Sequence, residues 1–236
     1  LKGWRVARAQ LQQAVEDAEA GSLATLVAGQ IRGWILEGSF APGQRLVEAE
    51  LSRRCGAGRS TIREALGRLA TDGLVEVEPY KGASVRRLDR REVGELYRVR
   101  ELLEGLAARS AAETVGREAK AHTTFSSGLA EIAAAHRAGD LGAYLAENRR
   151  YHQLIMRSAD NRVLERQLDM LIVPVFRLQF RALMTWELVE RSRSDHARIA
   201  EAILAGDADA ADASMRAHVR ASGQEVAALP DAAFGT

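Results

Sequence analysis

Arg59, Ser60, Thr61 and Arg63 open a stretch whose apolar residues recur at helical spacing. Ile62, Ala65, Leu66 and Leu69 share one stripe at about 100° per residue, and Arg59, Ser60 and Arg63 fall roughly a third of a turn away from it. A helix of this pattern can be seated in a core along one side while its first turn faces outward. Guanidinium groups there can fork onto guanine O6 and N7 or clamp a phosphate, and hydroxyls can do either more weakly. The same pattern also suits an ordinary three-helix domain whose arginines are only solvated.

Asn148, His152, His196 and His218 offer a second kind of chemistry. Asn148 and His152 are one helical turn apart and point from the same helix face. His196 and His218 belong to two later helices, so the set draws on three. Taken singly, each histidine suits a surface or a hydrogen-bonded core position as well as a ligand position. His122 and His136 read as solvated histidines.

The elements that position the first group are readable on both sides of it. Leu23, Leu26, Val27, Ile31 and Ile35 predict the buried stripe of a first helix that Gly38 ends. A second short helix ends at Cys55, and the Gly56-Ala-Gly58 turn leads into the arginine-led helix. Gly73 stops that helix. Leu74–Val77 and Ala83–Val85 then predict two short strands around Pro79-Tyr-Lys-Gly82, a hairpin with Lys81 at its tip. Helix, turn, arginine-led helix and basic wing thus occur in the order of a winged helix-turn-helix.

From about Arg90 the chain is rich in Ala, Leu, Glu and Arg, with no strand pattern. Breaks at Gly116, Gly139-Asp140, Asp160-Asn161 and Gly206-Asp207, with a weaker one near Met184-Thr-Trp186, predict about six helices, and Pro174 should kink the fourth. The expected architecture is mostly α: a winged helix-turn-helix over residues 21–88, followed by an all-α antiparallel bundle over 89–228. Residues 1–20 form an N-terminal extension and 229–236 a tail, neither with a functional reading.

Gln30–Val85 resembles the winged helix of the GntR family of bacterial transcription regulators, through Pro42-Gly-Gln-Arg-Leu46 and Arg59-Ser-Thr-Ile-Arg-Glu-Ala-Leu66. The resemblance implies DNA contacts from Arg59 and Arg63 and a wing glycine at Gly82. Some members carry a further arginine where this chain has Ala49. Arg45, Arg53 and Arg54 suit phosphates or solvent better than bases, and Ser60, Thr61 and Lys81 complete the expected DNA face.

Residues 91–220 resemble the helical effector domain, of FCD type, of the FadR subgroup of that family. The landmarks are Val99-Arg-Glu-Leu-Leu-Glu104, Asn148-Arg-Arg-Tyr-His152, Asn161, Asp195-His196 and Gly206-Asp207 leading to Met215-Arg-Ala-His218. Many members bind a divalent metal through an Asp or Asn and three His, which map onto Asn148, His152, His196 and His218. The acyl-CoA-binding prototype lacks this set, and the helix number is similar to the vanillate-type (VanR-like) branch. Three imidazoles and one oxygen donor suit Zn²⁺, with Ni²⁺, Co²⁺ and Mn²⁺ also accommodated. Asn148 adds no charge, so a carboxylate effector would be drawn to an open position on the ion. Arg100 could neutralise a second carboxylate, or simply pair with Glu104 one turn on.

Charge and cysteine content agree with a site-specific DNA binder. Residues 21–87 carry 10 Lys and Arg against 7 Asp and Glu, while 88–236 carry 20 against 22. That modest basicity suits a specific binder better than a polycation that coats nucleic acid. The single cysteine, Cys55, forms no internal disulfide and reads as a small hydrophobe in a reducing cytoplasm. No apolar run approaches the roughly 20 residues of a membrane span, and Leu1-Lys-Gly-Trp-Arg5 lacks a signal-peptide core.

The expectation is a cytoplasmic, homodimeric transcription regulator, more readily a repressor than an activator, that binds double-stranded operator DNA under control of a small organic acid. The competing reading is a metal-dependent hydrolase with an accessory nucleic-acid domain. His-Glu-x-x-His is absent, however, and His152-Gln-Leu-Ile-Met156 supplies no carboxylate beside the ligand. A third reading makes the metal a structural staple with no effector.

Overall fold

The structure, a computed structural model, describes residues 23–135, 140–171 and 185–235. The N-terminal extension, His136 and the Pro174 kink lie outside the described residues. The chain divides after Arg87 into two compact units.

The first unit contains α1 (residues 23–36), β1 (Arg45–Leu46), α2 (Glu48–Cys55), α3 (Arg59–Thr71), β2 (Val75–Glu78) and β3 (Gly82–Val85). Its core gathers Val27, Ile31, Ile35, Leu51, Ile62, Leu66, Leu69, Leu74 and Val85, with Trp34, Cys55 and Ala57 packed against it. Burial of each large aliphatic chain is worth about 1.5–3 kcal/mol, enough to hold α3 by its inner stripe. Gly56 ends α2 in the left-handed region at φ 63°, so the chain turns sharply into α3.

Two sequence expectations are corrected in this unit. Leu23 and Leu26 are exposed, and Ala24 and Val27 take the buried positions at the start of α1. The inward stripe therefore begins one residue off the pattern of largest side chains. The wing is also three-stranded: β1 pairs antiparallel with β3, Leu46 opposite Ala83, and β3 pairs with β2, Val77 opposite Ala83.

The second unit contains α4 (Arg90–Arg117), α5 (Ala119–Ala134), α6 (Leu141–Ser158), α7 (Arg162–Leu171), α8 (Trp186–Leu204) and α9 (Ala208–Ala227). No strand occurs among its described residues. Asp89 and Glu92 form a reciprocal capping box at the start of α4. Asp140, Thr185 and Asp207 cap α6, α8 and α9 through their side-chain oxygens. The acidic half of each expected Gly-Asp break is thus what starts the next helix.

Gly116 does not end α4, which runs to Arg117 before Glu118 turns extended. Its role is a close approach. A Cβ on Gly116 would stand 2.9 Å from Cα of Gly206, so the α8–α9 turn packs directly on the α4 backbone.

Candidate nucleic-acid interface and metal centre

Arg59, Ser60 and Arg63 are exposed on the first turns of α3, and Thr61 is half-buried, while Ile62, Ala65, Leu66 and Leu69 are buried beneath them. Arg59 has no ion-pair partner among the described residues. Arg63 does: its Nε lies 3.0 Å from each carboxylate oxygen of Glu48 on α2. That contact uses the inner edge of the guanidinium and leaves the terminal amino groups outside it. Arg53 is exposed on α2, whereas Arg54 lies over the Trp34 ring, 4.1 Å from its centroid.

The wing adds three residues from the expected set. Arg45 on β1 is exposed and reaches over Gly82, where a Cβ would meet its Nη2 at 3.7 Å. Lys81 is exposed and paired to Glu78 at 2.7 Å. Tyr80 beside it is fully exposed in the left-handed region at φ 66°. Sequence reasoning missed Glu48, because only the packing of α2 on α3 brings it to Arg63.

In the second unit α6, α8 and α9 bring His152, His196 and His218 together in the interior. One ring nitrogen of each lies within 4.8 Å of the others, and all three residues are buried. Ring centroids are 5.3 Å apart for His152 and His196, and 4.8 Å for His196 and His218. Tyr151 stacks on His196 at 4.1 Å, and its hydroxyl donates to the His196 carbonyl oxygen at 2.7 Å. Asn148 is half-buried one turn before His152 on α6.

Two carboxylates stand behind this cluster. Oε2 of buried Glu104 lies 2.7 Å from Nδ1 of His152, a close contact short of an aligned hydrogen bond. Oδ2 of Asp195 lies 3.3 Å from Nδ1 of His218. Each carboxylate has a guanidinium behind it in turn: Arg100 Nε donates to Glu104 at 2.7 Å, and Arg198 pairs with Asp195. Arg100 also lies over the Tyr97 ring. The i, i+4 pairing of Arg100 with Glu104 is therefore present, which means any effector role for Arg100 must coexist with it.

Electrostatics favour neutral rings at His196 and His218. Burial, then the His152 ring, holds His218 down at about 4 even though Asp195 pulls it upward. Burial, then the His152 and His218 rings, holds His196 far below the ordinary imidazole range. Burial pushes the Glu104 carboxyl up, but Arg100 and His152 outweigh it and keep it well below the usual carboxylate range. Neutral imidazole is the form that ligates a metal, and Nε2 of His196 is buried without a hydrogen-bond partner. The donor set fits a divalent ion.

Glu147, the nearest carboxylate in sequence to the ligand face, is held by Arg193 at 3.1 Å. His122 is exposed on α5, as expected of a solvated histidine. No described helix is long and apolar enough to cross a membrane.

A winged helix with an arginine-led helix, followed in the same chain by an all-helical unit with a buried polar centre, defines a DNA-binding regulator with a second, helical domain. The chain belongs to the GntR family of bacterial regulatory proteins, matched over residues 23–85, and carries an FCD domain over residues 95–221. It is 29% identical over 201 residues to a protein of Paenarthrobacter nicotinovorans named as a D-xylose utilization operon transcriptional repressor, covering 84% of this chain and 87% of that one. It is 26% identical to the transcriptional repressor RspR of Escherichia coli, covering 79% and 81%. A GntR regulator structure from a Rhodococcus species has a TM-score of 0.72 at 21% identity over 89% of this chain and 100% of that one. The Escherichia coli McbR/YncC structure has a TM-score of 0.66 at 22% identity over 87% and 96%. At such identities the structural likeness concerns the fold. The families and the named relatives are transcription regulators, so the hydrolase reading is set aside.

Proposed function

We propose that this transcription regulator is a homodimeric repressor whose grip on its operator is set by a small carboxylate sensed in the helical unit. The observation that carries this reading is the buried trio His152, His196 and His218, with Nε2 of His196 left unpartnered in the interior. A polar centre of this kind costs stability unless something satisfies it.

His152, His196, His218 and Asn148 would hold a divalent metal, Zn²⁺ by donor type, which when bound supplies a Lewis-acidic position for a carboxylate. Glu104 and Asp195 orient the His152 and His218 rings from behind, and Arg100 keeps Glu104 ionised. Arg59, Ser60, Thr61 and Arg63 read or clamp the major groove. Arg45, Arg53, Lys81 and Gly82 meet the backbone or the neighbouring groove. A two-fold dimer then addresses two half-sites of a pseudo-palindrome.

The test is fluorescence anisotropy on duplexes enriched from a random pool, with Zn²⁺ and a panel of small di- and tricarboxylates. One acid should change duplex affinity by about 5- to 150-fold, the usual span of such coupling. His196→Ala should abolish that change while leaving DNA binding in place. Equal affinity for enriched and scrambled duplexes would overturn the DNA half of the proposal, and indifference to every acid the sensing half.

A further inference from the structure

The segment that follows α9 folds back on the first turn of α4. Pro230 comes just after the end of α9, a single 3-10 turn over Asp231–Ala233 redirects the chain, and Phe234 is buried beside it. Arg90, the first residue of α4, gathers this segment. Its Nη1 donates to the Ala227 carbonyl, its Nη2 donates to the Leu229 carbonyl and to Asp231 at 2.7 Å each, and its guanidinium carbon lies 4.2 Å from the centre of the Phe234 ring.

An arginine at this position opposes the dipole of its own helix, whose N-terminal end is positive. It suits the other helix instead. The last carbonyls of a helix lack partners within it, and a cation placed there satisfies them. The Asp231 side chain is 99% exposed and its ion pair adds little, so the tie rests on the two carbonyls and on the ring face. Both carbonyls belong to the end of α9, so a shift of α9 moves them against Arg90 together.

α9 is also packed on α4 along its length. A Cβ on Gly223 would stand 2.9 Å from the Tyr97 side chain, Arg220 pairs with Glu101, and a Cβ on Gly105 would stand 2.7 Å from Arg216. His218 lies between Arg220 and Arg216 on α9, nine residues or about 14 Å before Ala227. α4 in turn begins three residues after Arg87, where the first unit ends.

We infer that residues 230–234, strapped onto Arg90, carry the state of the metal centre from α9 to the first turn of α4, where the helical unit takes over the chain from the DNA-binding unit. This rests on the metal reading of the histidine trio and adds the route by which the centre is felt outside it. Arg90 and Phe234 are positioning residues: they act through α4.

The experiment follows hydrogen exchange by mass spectrometry on the full chain, in Zn²⁺ or in chelator, over the peptide spanning residues 88–98, together with Zn²⁺ affinity by competition titration. In the parent, Zn²⁺ should slow exchange there by about fivefold or more, the lower end of ordinary coupling between sites. Phe234→Ala and Arg90→Gln should bring the two rates to within about twofold of each other while Zn²⁺ affinity stays within about threefold of the parent, well inside that coupling range. A merely structural tie would speed exchange equally in both states and keep the ratio, and that result overturns the proposal. Loss of Zn²⁺ binding in both variants overturns it too, because the segment would then belong to the framework of the bundle. A parent that binds Zn²⁺ with no change at residues 88–98 removes the strap and leaves the metal reading standing. A parent that binds no Zn²⁺ removes both.

Discussion

Oε2 of Glu104 and Nδ1 of His152 lie 2.7 Å apart in the interior of the helical unit, with Arg100 bonded to the other carboxylate oxygen. Replacing Glu104 with Gln keeps the shape and removes the charge. Outer carboxylates of this kind are worth about 10- to 100-fold in metal affinity, so Glu104→Gln should weaken Zn²⁺ by that factor in a competition titration. It should also lower stability by about 3–5 kcal/mol, because the Arg100 guanidinium is left buried without its counter-charge. Unchanged affinity would mean that Glu104 serves only Arg100.

Metal should act as a ligand of the folded chain. At a free concentration about a hundred times its Kd, an ion that binds only the native state adds about 2.7 kcal/mol. Zn²⁺ should therefore raise Tm, chelator should reverse the rise, and His196→Ala should remove it. A carboxylate that raises Tm further only when Zn²⁺ is present separates an effector from a staple.

Acid should destabilise the chelated protein. His218 sits at about 4 and His196 lower, so below the unfolded imidazole value of about 6.5 the unfolded chain binds more protons than the folded one. The sign follows: stability is complete above about 6.5 and falls as pH drops from there through about 4. Each histidine contributes up to about 1.4 kcal/mol per pH unit in that window. Tm measured in chelator between about pH 7.5 and 5 should show the decline, and His218→Gln should flatten it. A Tm independent of pH in that range would contradict buried neutral rings.

Arg59 and Arg63 should behave differently on DNA. Arg59→Ala should cost about 1–3 kcal/mol and relax preference at one base pair if it reads a base; a phosphate role would instead lower affinity evenly and reduce the salt slope by about one. Arg63 is steered by Glu48. Glu48→Gln removes a negative charge from the DNA-facing side and frees that guanidinium, so binding to scrambled duplex should rise while the ratio of specific to non-specific affinity falls. Anisotropy at two salt concentrations reads both quantities.

Gly116→Ala should destabilise the bundle by about 1–3 kcal/mol, since its methyl would press on the Gly206 backbone, which has no side chain to move aside. Thermal unfolding measures the loss.

Whatever depends on periodicity and residue type is already legible along the chain. Ile62, Ala65, Leu66 and Leu69 could only be an inner stripe, which left Arg59 and Arg63 outside, and the three histidines stood on separate helices whatever the packing. Helical phase is a local property, so both groups were legible from spacing.

What stands across from each of these residues depends instead on how the helices and strands pack together. Glu48 reaches Arg63 because α2 packs on α3, Asp195 reaches His218 from one helix to the next, and Glu104 reaches His152 from a helix some fifty residues earlier in the chain. The two-residue strand β1 exists only because β3 supplies its partners, and the burial of Ala24 in place of Leu23 depends on the exact rotation of α1 in its core. Pairings between distant segments are set by how whole helix faces and strands fit together, and no local pattern of residues carries that information.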